Sequence, residues 1–303
     1  MFRVFLFLFL GFVIDISAQN KACDSVFFCK ETLLKHVKSL SSDAFEGRRT
    51  GSQGAEKAQK YIINQFHSLN VLPLVKGYKQ LFNFNDHRVH YKGVNILGLV
   101  EGTTFPKDYI VISAHYDHEG IKQGEIFNGA DDNASGVSAL FSFSEYFKKH
   151  PPKHSIILVA FDAEELDLQG SKYFLKSVIT DSKRIVLNMN MDMISRSDKN
   201  ELFVVGASNN EALMNVLKNH EYSYKVKVII GHDGYDGLEN WTYSSDHANF
   251  HKKGIPFLYF GVEDHEDYHE PTDTFENIHP KFYVEAVKII LSVFEKLDAF
   301  KYY

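Results

Sequence analysis

Ser155-Ile156-Ile157-Leu158-Val159-Ala160-Phe161 runs directly into Asp162-Ala163-Glu164-Glu165. The first seven residues show no polar alternation and are rich in β-branched types. A strand apolar on both faces is one buried between two layers, as in a sheet covered by helices. Carboxylates follow with no intervening turn, and in open α/β sheets a site forms just outside the carboxyl ends of the strands. This segment therefore predicts both a fold class and a place to look for chemistry.

Working outward, apolar runs at Val94–Val100, Tyr109–Ala114, Arg184–Met191, Leu202–Val205 and Pro256–Phe260 repeat the strand pattern. Helical spacing occupies Glu31–Leu40, Gly51–Leu69, Ser135–Lys149, Gly170–Ile179, Asn209–His220 and Pro280–Phe300. The alternation predicts an α/β fold: one domain, a three-layer sandwich whose central sheet is mixed and mostly parallel, flanked by helices. A chain of 303 residues that is 44% hydrophobic can bury one large core of this kind.

Net charge is −6, and the Lys and Arg residues are scattered rather than gathered into a stripe. Nucleic acid is excluded as the expected partner. Residues 1–18 read as a signal peptide: Arg3, an apolar run from Val4 to Ile14, and small Ala18 at the expected cleavage point. The run is too short to span a membrane and none comparable follows, so residues 19–303 are expected as an exported domain, periplasmic or extracellular, with no membrane span. The only cysteines, Cys23 and Cys29, lie close together, where an export route permits a local disulfide. They do not supply a thiolate metal site.

Candidate ligands cluster where strands end. His115 closes one apolar run, and Asp117, two residues on, returns to the same face and can hold the imidazole from behind. Asn128-Gly129-Ala130-Asp131-Asp132-Asn133-Ala134-Ser135-Gly136 enters a helix. Capping explains one acidic residue there, but adjacent carboxylates repel unless a cation neutralises them. In Glu164-Glu165 one carboxylate can bind a metal while its neighbour takes a proton from water. Asp192 is the sole charge in Leu187–Met193 and needs a partner. The turn Asp267–Thr274 offers His269, with His265 and His279 as nearby competitors. Together, His115, Asp132, Glu165, Asp192 and His269 are an all-nitrogen-and-oxygen set that suits two close zinc ions bridged by one carboxylate.

With these motifs in this order, the chain from about Leu40 onward resembles the M28 family of zinc peptidases, which includes secreted aminopeptidases and the related glutaminyl cyclases. Leu40–Gly51 also resembles the opening of secreted members. The resemblance implies the zinc-exopeptidase type of α/β sandwich. It implies His115 and Asp192 as ligands of one zinc, Glu165 and His269 of the other, and Asp132, three positions before Ser135, as the bridge. Glu164 would be the general base and Asp117 the partner of His115. Asp246 and His247, in Ser245-Asp246-His247, and Tyr243 are substrate-side candidates; Thr242, not Tyr243, falls at the spacing of a tyrosine that assists some aminopeptidases.

The activity implied is hydrolysis of N-terminal peptide bonds in peptides with a free N-terminus. The alternative is a glutaminyl-peptide cyclotransferase with a single zinc. Asp132–Gly136 and Tyr268–Asp273 resemble the peptidase forms of their motifs, which favours the first. A metal-free binding relative is disfavoured because every ligand position is filled.

Overall fold

A computed structural model describes residues 26–177, 184–208, 210–222 and 225–302. The signal-peptide reading, Cys23, and the ends of two expected helices at Val178–Ile179 and Asn209 lie outside the described residues. Cys29 is disulfide-bonded.

The chain opens with α1 (Lys30–Leu40) and α2 (Gln53–Ser68). Helix α2 begins two residues later than expected because the Ser52 side chain accepts from the amide of Ala55, making Ser52 the N-cap. Strands β1 (Leu72–Pro73), β2 (Lys79–Asp86), β3 (Val89–Val100) and β4 (Phe105–His115) follow. After the small hairpin β5 (Gly120–Lys122) and β6 (Glu125–Phe127) come α3 (Gly136–Phe147), β7 (His154–Phe161) and α4 (Gln169–Phe174). The remainder is β8 (Arg184–Met191), β9 (Glu201–Val205), α5 (Glu211–Lys218), β10 (Lys227–Ile230), α6 (His247–Lys252), β11 (Phe257–Gly261) and α7 (Pro280–Asp298).

Among the described residues the main sheet has nine strands in the order β1-β3-β7-β4-β8-β11-β9-β10, with β2 beside β3. It is mixed. Parallel pairing joins β7, β4, β8 and β11 in the centre and β9 with β10, whereas β1, β2, β3 and the β9–β11 step are antiparallel. The β2–β3 hairpin extends well beyond the Val94–Val100 run; its polar, half-exposed residues carry no buried-strand signal, since that hairpin lies at the rim.

Alternate residues of one strand serve opposite layers. Ile156, Leu158 and Ala160 join a core with Leu33, Val37, Ile62, Phe66, Leu140 and Ile290, drawn from α1, α2, α3 and α7. Ile157, Val159 and Phe161 instead meet Phe174 and Phe250, from α4 and α6. A period of two along a strand buried on both sides makes a helix–sheet–helix sandwich. Among the described residues no helix is long and apolar enough to cross a membrane.

Candidate active site

The parallel centre aligns the carboxyl ends of β4, β7 and β8: His115 lies opposite Phe161, and Ser113 opposite Asn190. The residues that follow, Glu164 and Glu165 after β7 and Asp192 after β8, are thereby delivered to one rim. Asp132 reaches the same place from a wound turn, Ala130–Ser135, in which Asp132 and Asn133 are non-helical and their peptide is cis. His269 arrives from the loop beyond β11.

Asp132 is the hinge of this arrangement. Its Oδ1 stands 3.2 Å from Nε2 of His115, which is 3.1 Å from Oδ1 of Asp192. Its Oδ2 stands 3.2 Å from Nε2 of His269, which is 3.2 Å from Oε2 of Glu165. Ligand atoms roughly 2.0–2.1 Å from a tetrahedral zinc are about 3.3 Å apart, so two donor sets of zinc-like spacing share one carboxylate. The residues present therefore fit the metal that the sequence implies. Glu164 reaches in from the side, its Oε2 4.0 Å from His115 Nε2.

His115, Glu164, Glu165 and Asp132 are fixed from behind. His115 Nδ1 donates to the carbonyl oxygen of Asp117 at 3.1 Å, which leaves Nε2 turned into the cage. The Asp117 carboxylate, 3.7 Å from the same nitrogen, accepts the amides of Glu164 at 3.1 Å and Glu165 at 3.3 Å. Asp117 thus positions three cage residues rather than one. Asp273 accepts the amides of Asp131 and Asp132 at 2.9 and 3.0 Å and fixes the turn. Buried Arg48 donates to the carbonyls of Leu40, Tyr116, Asn128 and Gly129, tying the turn to the end of β4.

Without metal the histidines and carboxylates neutralise one another. Burial pulls the His269 imidazole down, but hydrogen bonds to Asp132 and Glu165 outweigh it and lift its pKa to about 10. His115 is raised likewise, burial being outweighed by Asp192 and Glu164. Burial pushes Glu165 up and Asp132 adds to that, yet hydrogen bonds from His118 and His269 hold it at about 2. Glu164 differs: burial drives its carboxyl well above the usual range, the charge of His115 opposes, and Asp192, Glu165 and Asp246 add to the rise. Two adjacent carboxyls pushed in opposite directions are a common mark of divided roles.

The open alternatives resolve on hydrogen bonds. Asp131 accepts the amide and hydroxyl of Ser195 at 2.6 and 2.8 Å and Nε2 of His265 at 3.0 Å, which engages both residues away from the cage. His279 bonds the carbonyl of Ser197. Tyr243 is not brought to the site: in its short turn Trp241 packs inward, while Tyr243 is 55% exposed with its ring against His251. His247 donates to the carbonyl of Trp241 and, like Asp246, is buried beneath the pocket rather than lining it.

Sequence reasoning missed His118 and Arg48. His118 Nδ1 lies 2.9 Å from Glu165 Oε1 and 3.5 Å from Asp132 Oδ2, fully buried. The repeat of histidine within His115–His118 was the available signal. A pocket of about 300 Å³ opens over the cage, walled by Met193, Trp241, Tyr259, Val262 and Tyr268.

Aminopeptidase YwaD of Bacillus subtilis is 30% identical over 195 residues, 61% of this chain, and the chain spans 40% of that relative's length. The solved structure of BSAP, a zinc aminopeptidase from Bacillus subtilis, superposes with a TM-score of 0.70 at 17% identity, covering 90% of this chain and 96% of that one. A glutaminyl cyclase from Porphyromonas gingivalis superposes with a TM-score of 0.72 at 17% identity, covering 89% and 99%. The two superpositions establish a common fold. The model of peptidase family M28 matches residues 95–294, a span that includes every cage residue from His115 to His269, and the chain accordingly belongs to peptidase family M28.

Proposed function

We propose that the protein is an aminopeptidase that removes the N-terminal residue from peptides with a free amino terminus, using two zinc ions bridged by Asp132 and Glu164 as general base. The observation that carries this reading is the division of the Asp132 carboxylate, one oxygen toward His115 and the other toward His269. A single-metal site has no use for that split.

Bound zinc would polarise the scissile carbonyl and make water a nucleophile near neutral pH. Glu164 takes the proton from the attacking water and passes it to the departing amine, a role that suits a carboxyl whose proton affinity burial has raised. Asp117 keeps Glu164 and Glu165 in register with His115 during that exchange. The same reading includes export to the periplasm or beyond, directed by residues 1–18.

The test is zinc content of the purified chain together with release of amino acids from aminoacyl substrates. Near two zincs per chain are expected, with kcat falling about 100- to 10,000-fold in Glu164→Gln while zinc is kept. One zinc, no amino acid released, and ammonia formed from N-terminal glutamine would move the assignment to the single-zinc cyclase, a reading favoured by the cyclase superposition alone.

A further inference from the structure

His118 belongs to neither donor set, and its imidazole is fully buried where the chain crosses from β4 to the β5–β6 hairpin. The ring lies against Gly129, whose φ is +56°; a Cβ there would fall 2.6 Å from ring carbons Cγ and Cδ2, so the seat requires glycine. Nδ1 is 2.9 Å from Oε1 of Glu165 and 3.5 Å from Oδ2 of Asp132. Nε2 is buried and has no hydrogen-bond partner among the described residues.

That arrangement fixes which nitrogen carries a hydrogen. A bare Nδ1 would press its lone pair against a carboxylate oxygen and strand an N–H at Nε2, so Nδ1 donates to Glu165. An imidazole with one nitrogen left unsatisfied costs more to bury than an aliphatic side chain of similar volume. Packing alone therefore does not account for a histidine at this position.

The Glu165 carboxylate is divided as a result. Oε1 accepts from His118, while Oε2 stands 3.2 Å from His269 Nε2. A carboxylate with one oxygen engaged in this way offers a metal the other oxygen only, which suits a four-coordinate zinc. The longer contact with Asp132 is to Oδ2, the oxygen that faces His269. Among the described residues His118 makes no ion pair or hydrogen bond with His115 or Asp192, so its influence falls on one donor set.

We infer that His118 is a positioning residue for the His269 side of the cage: by donating to Glu165 Oε1 it holds that carboxylate to one-oxygen ligation and sets the zinc affinity of that side, without ligating metal itself. This rests on the zinc-binding part of the aminopeptidase reading and assigns a further residue to it.

The experiment titrates zinc into the metal-free full chain against a chromogenic chelator, with thermal unfolding as the check on folding. Three proteins are compared: the unmodified chain, His118→Leu and His118→Asn. Leucine fills the space of the ring without a donor, whereas asparagine places an amide N–H near the position of Nδ1 and has no imidazole to offer a metal. The unmodified chain should bind two zincs, and His118→Leu should bind one of them about 10- to 100-fold more weakly with the other unchanged. His118→Asn should recover most of that loss. In His269→Ala, which keeps only the His115 side, adding His118→Leu should leave the remaining affinity unaltered. If His118→Leu does not fold, His118→Ala replaces it. Equal weakening of both zincs, no weakening, or a folded His118→Asn that recovers nothing overturns the inference. Aminoacyl hydrolysis with two zincs whose affinities ignore His118 removes its role and leaves the aminopeptidase reading intact. A single zinc in the unmodified chain removes the two-zinc reading instead, and the same pair of variants then decides whether His118 supports that one ion.

Discussion

Arg48 Nη1 lies 2.6 Å from the carbonyl oxygen of Asn128, joining a residue ahead of α2 to the turn that carries Asp132. The guanidinium is 1% exposed and bonded to backbone carbonyls instead of a carboxylate, and burial lowers its pKa to about 10. Its positive charge faces Asp132, Asp273, Asp117 and Glu165 from behind. Arg48→Met should destabilise the fold by about 3–5 kcal/mol, because several buried carbonyls lose their donor together. Arg48→Lys should not rescue it, since three donors on one nitrogen do not reproduce a planar fork reaching both sides. Denaturant unfolding reads the first effect, and zinc affinity by chelator competition reads the displacement of Asp132.

Asp131 and Asp132 are neighbours with separate tasks. Asp132→Asn should reduce zinc from near two per chain to one or fewer and abolish hydrolysis. Asp131→Asn should keep its zinc and lose about 1–3 kcal/mol of stability, because the amide cannot accept from Ser195 and His265 together as the carboxylate does. Metal analysis and thermal unfolding of both variants separate the roles; equal zinc loss in the two would contradict them.

Zinc uptake should release protons. His269 has a folded pKa of about 10 without metal, above its ordinary 6.5. A raised pKa stabilises the metal-free fold fully below pH 6.5, and that contribution is lost as pH rises through about 10. Zinc requires the neutral ring, so metal and proton compete and zinc affinity should climb with pH across neutrality. Calorimetry in buffers of different ionisation enthalpy should show about two protons released near pH 7, from His115 and His269. Buffer-independent heats would mean that the histidines were already neutral.

His36, which none of the cage residues bonds, should contribute an acid-labile part of the stability. Burial lowers its pKa to about 4, with Lys35 adding, and Tyr61 hydroxyl sits 2.8 Å from Nδ1. Between pH 4 and 6.5 the unfolded chain binds the proton and the folded chain does not, so stability falls as pH drops through that window. The loss is about 3 kcal/mol at full effect. In His36→Gln the difference from the unmodified protein should narrow as pH falls from 6.5 to 4, as measured by urea unfolding of the zinc-loaded chains.

Strand ends that run into charge were the legible part of the sequence. Ser155–Phe161, Tyr109–Ala114 and Arg184–Met191 announced buried strands, and the carboxylates and histidine after them announced the cage. Arg48 was hidden because its partners are carbonyls, which leave no trace in residue type. The β2–β3 hairpin was hidden because a rim strand need not be apolar. Tyr243 was misplaced for a geometric reason: in a turn as short as Trp241–Tyr243, one position of difference reverses the side from which a side chain emerges.

The cage residues are drawn from β4, the turn before α3, the ends of β7 and β8, and the loop past β11. No contiguous stretch of chain could assemble either donor set. A growing or half-folded polypeptide, lacking the long-range pairing of β11 with β8, would hold scattered side chains with no hydrolytic competence. Long-range pairing, usually counted as a kinetic burden, would on the proposed aminopeptidase reading act as a safeguard: the capacity to cut peptides would arise only after the molecule had ceased to resemble one.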